Sequence, residues 1–271
     1  MDTLHEKNEK LHRILKDLGS VAVAFSAGVD STFLLMTAAD VLGEKACAVT
    51  ARSVFIPAGE QDEAVLFCKE RGIRHLVIPV DVLSVPGVAA NPPERCYLCK
   101  KALFSRFLAE VETLGIPYVA EGSNMDDLGD YRPGMKAIAE LGIISPLREA
   151  ELTKQDIREL SREMGLPTWD KPSYACLASR FVYGETIDKA KLAMVEKAEE
   201  KLRSMGLRQF RVRLHGDLAR IEAEPEKIVF LAEKREEIDQ YLRSLGFRYV
   251  TLDLGGFASG SMNRPLKHAA V

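Results

Sequence analysis

VAVAFSAGVDSTFLL, residues 21–35, decides the fold, because it joins a buried strand to a helix through a short polar turn. Residues 21–25 are a continuous apolar run of the kind that a parallel sheet buries on both faces. Residues 26–31 supply small polar side chains and Gly28, and the helix continues to Leu42. The unpaired amides at the start of such a helix, together with its dipole, favour an anion. The stretch predicts a phosphate-binding turn; the alternative is an ordinary turn capped by Ser26 or Asp30.

Composition sets the broad class of the protein. The 271 residues suffice for one large or two ordinary domains, and 46% hydrophobic with 28% charged residues is typical of a globular chain. No apolar run approaches a membrane span, and the charged amino terminus does not resemble a signal peptide, so we expect a cytoplasmic protein. A net charge of −3 speaks against a broad nucleic-acid footprint.

Strands alternate with helices over the first two thirds of the chain. The pattern predicts strands at 21–25, 46–51, 74–80, 117–121 and 143–144, and helices at 5–18, 29–42, 60–70, 99–114 and 152–164. This alternation predicts an α/β fold with a doubly wound parallel sheet. In such sheets ligands lie beyond the carboxyl ends of the strands, so we expect the turns after Phe25, Ala51 and Glu121 to share one crevice.

A smaller α+β unit is predicted to follow. Its elements are a helix at 186–205, strands at 209–214 and 218–222, a helix at 225–245 and a strand at 248–254. His215-Gly216-Asp217 has the turn chemistry of a hairpin between the first two strands. We place the boundary between Tyr183 and Glu185, which gives domains 1–183 and 184–271.

Three of the five cysteines lie in irregular segments. An odd number of cysteines in a chain of this kind favours metal-binding or reactive thiols over disulfides. Cys96 and Cys99, in NPPERCYLCKK, have the spacing by which neighbouring thiolates bind one metal or cluster, although redox dithiols share it. Cys176 lies in DKPSYACLASRF. Cys47, on a predicted strand, and Cys68, on a predicted helix, are expected to be small core residues.

Residues 26–31, SAGVDS, resemble the SGGVDS signature of the PP-loop ATP pyrophosphatases, which cleave ATP between the α- and β-phosphates. The Gly-Lys-Ser/Thr ending of a Walker motif is absent. Ala27 stands where that signature has a glycine, so the loop requires a conformation at this position that is not restricted to glycine.

Four further segments extend the resemblance over nearly the whole chain. NPPERCYLCKK, DKPSYACLASRF, FRVRLHGDLARIE and GFASGSMN occur in the same order and at similar spacing in the LarE family. That family contains ATP-dependent sulfur transferases that build the sulfur groups of the nickel-pincer nucleotide cofactor. The resemblance implies a PP-loop ATP pyrophosphatase fold, of the adenine nucleotide alpha hydrolase type. It also implies that a carboxylate of pyridinium-3,5-biscarboxylic acid mononucleotide is adenylated, after which sulfur replaces AMP.

Two sulfur sources are known in that family, and the number of cysteines distinguishes them. Members with only the cysteine that matches Cys176 sacrifice its sulfur and leave dehydroalanine. Members that also carry the CxxC pair bind a [4Fe-4S] cluster through three cysteines and carry the transferred sulfur on the fourth iron. The resemblance therefore implies that Cys96, Cys99 and Cys176 bind a cluster and act in catalysis. The alternative is a sacrificial Cys176 beside a zinc half-site or an idle pair.

Further site residues follow from sheet geometry and from the family. Ser26, Gly28, Val29, Asp30 and Ser31 are predicted to bind the pyrophosphate of ATP, with Asp30 alternatively placing Mg²⁺, and Arg52, Ser53 and Gly122 are predicted to contact the nucleotide. Arg211 and Arg213 alternate on one strand and so present two guanidiniums on one face, which suits a substrate phosphate; a polar sheet face is the ordinary explanation. Lys101, Ser179 and Arg180 complete this pocket by resemblance.

Partners and rival functions can also be named. The resemblance implies a small nucleotide substrate, a sulfur donor such as a desulfurase or a small persulfide, and trimers or hexamers. Thiolation of tRNA by a PP-loop enzyme is the first rival, and the acidic charge balance counts against it. An amidating synthetase would need an ammonia source, and no glutaminase-like domain is present. A nucleotide-binding redox sensor using Cys96 and Cys99 would bind ATP without releasing pyrophosphate.

Overall fold

The computed structural model describes residues 3–129, 133–172, 175–258 and 260–263. The chain divides into two compact units, Met1–Pro86 with Glu94–Tyr174 and Gly87–Pro93 with Ala175–Val271. The boundary expected between residues 183 and 185 lies inside the second unit, which also takes a short segment from the first half of the chain. Across the described ranges, no helix has both the length and the apolar character needed to cross a membrane.

Within the described residues, four parallel strands form the sheet of the first unit in the order β3-β2-β1-β4. The strands are β1 (Val21–Ala24), β2 (Ala46–Arg52), β3 (His75–Pro79) and β4 (Val119–Ala120). The α-helices are α1 (Leu4–Leu18), α2 (Val29–Leu42), α3 (Ala58–Glu70), α4 (Arg95–Glu112), α5 (Gly134–Glu140), α6 (Pro146–Glu149) and α7 (Lys154–Glu163).

Both faces of this sheet are buried, as the continuous apolar strands predict. Alternate residues of β2 enter different cores: Ala46 and Ala48 pack with α1, α2 and α7, whereas Cys47 and Val49 pack with α4 and α5. Helices on both faces of a parallel sheet define a doubly wound α/β fold, which confirms the predicted fold class. Strands β2 and β3 lie on one side of β1, and β4 lies on its other side. The strand order therefore reverses between β1 and β4, and the carboxyl ends of these two strands form the switch point.

Two predicted elements of the first unit differ in the structure. The strand at 143–144 is only an isolated bridge between Ala120 and Ile144. Helix α4 begins at Arg95 rather than at residue 99, because the carbonyl of Glu94 already accepts the amides of Tyr97 and Leu98. The CxxC pair is therefore helical and does not lie in a loop.

The second unit contains a mixed sheet in the order β5-β6-β7. Its elements are α8 (Lys189–Ser204), β5 (Phe210–His215), β6 (Leu218–Ala223), α9 (Ile228–Glu233), α10 (Arg235–Leu245) and β7 (Tyr249–Leu252). Strands β5 and β6 form the predicted hairpin, and β7 pairs with β6 in parallel. The prediction of a single helix at 225–245 is wrong. At Lys234 the backbone takes φ −90° and ψ 12°, which interrupts the helix and separates α9 from α10.

The short segment 87–93 is bound to the second unit by its backbone. The carbonyl of Asn91 accepts the amide of Gly184 at 2.9 Å, and the carbonyl of Ala89 accepts the amide of Ile187 at 2.8 Å. The buried Asn91 side chain donates to the carbonyl of Val182 at 2.7 Å. These bonds satisfy polar groups on both segments and explain why seven residues from the first half belong to the second unit.

A buried ion pair joins the start of the second unit to α8. Nε and Nη2 of Arg180 donate to the two carboxylate oxygens of Glu199 at 2.9 and 2.8 Å, and both side chains are at most 4% exposed. Glu199 also accepts the amide of Val212, on β5. This bidentate pair therefore connects three elements of the unit.

Replacing Arg180 by alanine should lower the free energy of unfolding by about 3–5 kcal/mol, because the carboxylate of Glu199 would stay buried without its cation. Urea denaturation measures the change. Arg235→Ala is the matched control, since it removes an exposed pair with Glu236 within α10. We expect that control to change the free energy of unfolding by no more than about 0.5 kcal/mol.

The effect of Arg180→Ala should also depend on pH. Burial alone would raise the pKa of Glu199, but the charge and hydrogen bonds of Arg180 and the amide of Val212 bring it below its ordinary value of 4.5. A carboxyl group whose pKa is lowered by folding stabilises the protein at pH values above its pKa in the unfolded state, and this stabilisation is lost as pH falls through its pKa in the folded state. In the Arg180→Ala variant, burial dominates and raises the pKa of Glu199. The difference in the free energy of unfolding between the wild type and the variant should therefore become smaller as pH falls. A difference in unfolding free energy that stays constant down to the pH of acid denaturation would contradict this account.

Candidate functional site

The turn between β1 and α2 presents unpaired amides at the carboxyl edge of the sheet. Helix α2 has Gly28 as its N-cap without a side-chain cap, and its first intrahelical bond runs from the amide of Thr32 to the carbonyl of Gly28. The amides before Thr32 have no intrahelical acceptor. The hydroxyls of Ser26 and Ser31 lie 3.1 Å apart, and Ser31 Oγ donates to the carbonyl of Gly28. This geometry suits an anion.

Ala27 has a left-handed backbone, with φ +53°. This conformation favours glycine, and it costs an alanine about 1–2 kcal/mol. The methyl group is almost fully buried in the core on the α1, α2 and α7 side of the sheet. The carbonyl of Ala27 accepts a hydrogen bond from Nζ of Lys171 at 2.9 Å. The substitution in the signature is therefore accommodated in a glycine-like conformation that an alanine can still adopt.

Asp30, in the first turn of α2, is held on both carboxylate oxygens. Oδ1 accepts the side-chain amide of Asn124 at 3.1 Å, and Oδ2 accepts Nζ of Lys154 at 2.5 Å. Lys154 is the first residue of α7, whose start is fixed by a reciprocal capping box between Thr153 and Asp156. Three elements thus place a carboxylate, an amide and an ammonium at one point beside the turn.

Gly122 packs directly against the start of α2. A Cβ atom at this position would lie 3.1 Å from Cβ of Asp30 and 3.1 Å from the amide nitrogen of Ser31. The absence of a side chain lets the end of β4 approach the turn closely, so the predicted association of residues 122 and 26–31 is present. Glu121, just before it, accepts hydrogen bonds from the hydroxyls of Ser123 and Ser145.

Arg52 is the last residue of β2, the strand next to β1 in the sheet, and Ser53 follows it. Arg52 is exposed, whereas Ser53 is buried and its carbonyl accepts the side-chain amide of Gln61 at 3.1 Å. The hydroxyl of Thr50 donates to the carbonyl of Phe25 at 2.7 Å and so ties the ends of β1 and β2 together. The three predicted nucleotide segments therefore all lie at the carboxyl edge of one sheet.

The five cysteines fall into two groups by exposure. Cys47 and Cys68 are buried, and desolvation raises the pKa of Cys47 to about 11 and that of Cys68 to about 12, which keeps both thiols protonated. Cys96, Cys99 and Cys176 are half-buried. The two core cysteines behave as the sequence indicates, and the three predicted ligands are the accessible ones.

Cys96 and Cys99 lie three residues apart in the first turns of α4 and so share one face of the helix. Nη2 of Arg95 lies 3.7 Å from Sγ of Cys96, and a guanidinium near a helix N-terminus stabilises a thiolate. This pair suits two neighbouring ligands of one metal centre. Among the residues that the structure describes, no group of three or more His, Cys, Asp or Glu side chains is arranged to bind a metal ion. The three-cysteine centre therefore stays a prediction.

Cys176 belongs to the second unit and precedes a short 3₁₀ turn, Leu177–Arg180. Its carbonyl accepts the amide of Ser179 at 2.9 Å and Nη1 of Arg180 at 3.1 Å. Arg180 also donates to the carbonyl of Ala175 and to Oγ of Ser179. The buried arginine therefore holds the backbone on which the half-exposed cysteine sits.

Arg211 and Arg213 lie on one face of β5, as predicted, and their cross-strand partners are Glu222 and Arg220. The face is covered: Arg211 lies over the ring of Phe257 at 5.0 Å, and both arginines are at most 7% exposed. Glu222 is fully buried and accepts both Arg213 and Arg220.

A cavity of about 120 Å³ opens beside this cluster within the second unit. Its polar lining residues are Ser179, Arg180, Arg213, His215, Arg220 and Ser261. Burial, followed by the charge of Arg220, lowers the pKa of His215, so the ring is neutral near pH 7 and its buried Nε2 has no hydrogen-bond partner within the described structure. A neutral imidazole nitrogen can donate to or accept from a bound polar group.

Lys101, in the first unit, is part of a surface network. Nζ donates to the hydroxyl of Tyr97 and to Glu140, both at 2.9 Å, and these bonds raise the pKa of Lys101. The tyrosine hydroxyl donates to the same carboxylate at 2.7 Å. This network positions the ammonium of a residue two positions after Cys99 on the same helix.

Several residues at these sites escape sequence reasoning. Lys154 and Lys171 approach the turn from a helix start and an irregular segment, neither of which a strand pattern locates. Lys171 could have been identified from the sequence, because it lies five residues before Cys176 in DKPSYACLASRF, one of the segments that carry the family resemblance. Glu222 was also visible, because it lies in FRVRLHGDLARIE at a strand position opposite Arg211.

Individual proteins resemble the chain, although no protein-family model matches it. Pyridinium-3,5-bisthiocarboxylic acid mononucleotide synthase of Lactiplantibacillus plantarum is 42% identical to it over 100% of this chain and 99% of that enzyme. An uncharacterised protein of Synechocystis is 43% identical over 97% of this chain and 99% of that protein. One of the subunits of the glutamine-hydrolysing GMP synthase of Pyrococcus furiosus, a PP-loop relative, is 26% identical over 74% of this chain and 70% of its own length.

Identity of this extent over both full lengths establishes family membership, and the GMP synthase subunits agree with the α/β fold. The turn before α2, the close approach of Gly122 and the segments around the three accessible cysteines lie within the matched length. The chain is therefore an enzyme of the LarE family, the family of pyridinium-3,5-bisthiocarboxylic acid mononucleotide synthase.

Proposed function

We propose that the enzyme adenylates the carboxylates of pyridinium-3,5-biscarboxylic acid mononucleotide with ATP and replaces AMP with sulfur, giving thiocarboxylates for a nickel-pincer nucleotide cofactor. The observation that carries this proposal is the uncapped start of α2 with Asp30 and Lys154 beside it. Its support is the full-length similarity to the named synthase.

In the first stage, a carboxylate oxygen of the substrate attacks the α-phosphorus of ATP, and pyrophosphate leaves. The chain contributes positioning and charge neutralisation rather than a covalent group. The amides of residues 28–31 and the hydroxyls of Ser26 and Ser31 bind the pyrophosphate group. Asp30 supplies a carboxylate oxygen to Mg²⁺, which shields phosphate charge. Lys154, whose ammonium neutralises Asp30 in the absence of ligand, then has the polyphosphate as its counter-charge.

Arg52, Ser53 and Gly122 line the nucleotide side of the same crevice. The ends of β1, β2 and β4 bring these residues to the carboxyl edge of the sheet, where ligands of doubly wound folds bind. We assign the adenosine part of ATP to this edge, with the exposed guanidinium of Arg52 available to it.

In the second stage, sulfur attacks the acyl adenylate and AMP leaves. We propose that Cys96, Cys99 and Cys176 are the ligands of a [4Fe-4S] cluster, supported by their shared accessibility and by the helical spacing of the first two. Such a cluster, when bound, supplies an iron without a protein ligand on which sulfur is carried. Arg95 lies beside the thiol of Cys96, Arg180 holds the backbone of Cys176, and a desulfurase or a small persulfide supplies the sulfur.

The substrate phosphate is assigned to the second unit. Ser179, Arg180 and Arg213 line its cavity, and Arg211 lies on the same face of β5 as Arg213. We also assign Lys101, of the first unit, to the substrate. Buried arginines with carboxylate partners are pre-oriented, so an entering phosphate meets guanidiniums already in place. We further propose a trimer or hexamer; Val229, Tyr249 and Leu254 are exposed apolar side chains of this unit.

Asp30→Asn should lower the rate of pyrophosphate release by about 100-fold or more, because the amide keeps the shape but loses the charge that neutralises Lys154 and binds Mg²⁺. Asp40→Asn is the control, since Asp40 is an exposed carboxylate on the same helix. The assay supplies the pyridinium biscarboxylate and unmodified tRNA in parallel. Release with tRNA alone would establish the rival thiolation activity, and ATP binding without release would favour the sensor.

Anaerobic purification distinguishes the two sulfur sources. We expect iron and acid-labile sulfide in the active protein, and loss of both from the Cys96→Ala, Cys99→Ala and Cys176→Ala variants, because a cluster needs all three thiolates. The Cys68→Ala variant is the control and should retain the metal. Full activity without iron, with dehydroalanine at position 176 in the mass spectrum after one turnover, would establish the sacrificial route instead.

Arg213→Lys tests the phosphate assignment without leaving Glu222 unpaired. Lysine keeps the charge beside Glu222 but loses the planar fork, so we expect the KM for the nucleotide substrate to rise by about tenfold while the KM for ATP stays unchanged. Steady-state pyrophosphate release measures both constants. Unchanged KM values with only a lower melting temperature would show that Arg213 is structural.

A further inference from the structure

Lys171 reaches the PP-loop from outside the elements that form it. Its Nζ donates to the carbonyl of Ala27 at 2.9 Å and to Oε2 of Glu63, on α3, at 2.6 Å. The lysine side chain is 16% exposed, whereas that of Glu63 is 47% exposed. The ammonium therefore bridges a backbone carbonyl of the loop to a carboxylate on a neighbouring helix.

The backbone of Lys171 is itself fixed. Nη2 of Arg158, on α7, donates to the carbonyl of Lys171 at 2.8 Å, and Nη1 of the same arginine donates to the carbonyl of Trp169 at 2.7 Å. The amide of Lys171 donates to the carbonyl of Thr168. Both ends of the lysine are thus held before any ligand binds.

The carbonyl that Lys171 binds belongs to the residue with the disfavoured backbone, Ala27. A glycine at this position would adopt φ +53° readily, but an alanine needs surrounding contacts to hold it there. Because the peptide group is planar and trans, the direction of the Ala27 carbonyl also fixes the direction of the Gly28 amide, which points the opposite way. Gly28 is the N-cap of α2 and heads the group of amides that faces the anion.

We propose that Lys171, aimed by Glu63, is a positioning residue that holds Ala27 in its left-handed conformation and so orients the Gly28 amide for pyrophosphate. The ammonium acts through the loop backbone. This inference deepens the proposed function, since it rests on pyrophosphate binding at the turn, but it does not depend on the acceptor or on the sulfur source.

The test measures the affinity of the full-length protein for pyrophosphate and for ATP by isothermal titration calorimetry. Lys171→Met should weaken both by about tenfold, because a charge-assisted hydrogen bond to the loop is lost. Lys171→Arg should retain most of the affinity. Lys10→Met is the matched control, since it removes a lysine pair with Glu151 in the same unit, and it should change neither affinity.

Rescue distinguishes positioning from direct contact. In the Ala27→Gly background, glycine takes the positive φ unaided, so adding Lys171→Met should weaken pyrophosphate binding by less than about threefold. An equal loss in both backgrounds would mean that the ammonium binds the phosphate directly, which would overturn the proposal. Wild-type affinity in Lys171→Met would overturn it as well.

Glu63→Gln keeps the inference testable if Lys171→Met does not fold, because Glu63 is half-exposed. Losing the carboxylate that aims the ammonium should weaken pyrophosphate binding by about threefold, and unchanged binding would contradict the proposal. Failure of the proposed function would look different: pyrophosphate would bind with the expected variant effects, but no pyrophosphate would be released in the presence of the pyridinium biscarboxylate.

Discussion

The close contact between the end of β4 and the start of α2 is the constraint on which the rest of the first unit depends. Because Gly122 has no side chain, Asn124 can reach Asp30 from one side while Lys154 reaches it from the other. Parallel order places both strand ends at the switch point, and the uncapped helix supplies the amides there. The sheet topology, a single glycine and one helix terminus thus produce a turn whose geometry suits an anion, with the Asp30–Lys154 ion pair beside it.

In the second unit, buried arginines are paired with buried glutamates. Three of the arginines that the structure describes there are buried, Arg211 and Arg213 on one sheet face and Arg180 at a 3₁₀ turn, and each of Arg180 and Arg213 has a buried carboxylate as its partner. Pairs of this kind contribute little net stability compared with apolar packing, but losing one partner is costly. These pairs therefore fit a role in specifying geometry, here that of the backbone that carries Cys176 and of the walls of a small polar cavity.

Sequence reasoning reaches local features better than those created by tertiary contacts. The strand, turn and helix at residues 21–42 and the hairpin of β5 and β6 follow from periodicity and turn chemistry, and the structure contains them. The start of α4 was predicted four residues late, because the bonds to the Glu94 carbonyl are not encoded in apolar spacing. Lys154 and Lys171 were missed because their contacts with residues 30 and 27 span more than a hundred positions. Apolar spacing likewise says nothing about whether Cys176 comes near Cys96 and Cys99, because the chain between them is long.

The segment 87–93 makes the second unit discontinuous in sequence. During synthesis these seven residues emerge before residues 182–187, whose backbone groups they bond, so their polar groups bond to water until the ribosome has produced the later part. Helix α4, with its CxxC pair, begins directly after this segment. A nascent chain that has reached only residue 174 therefore holds these seven residues without their protein partners, so the second unit cannot be completed until the residues from 175 onward have been made.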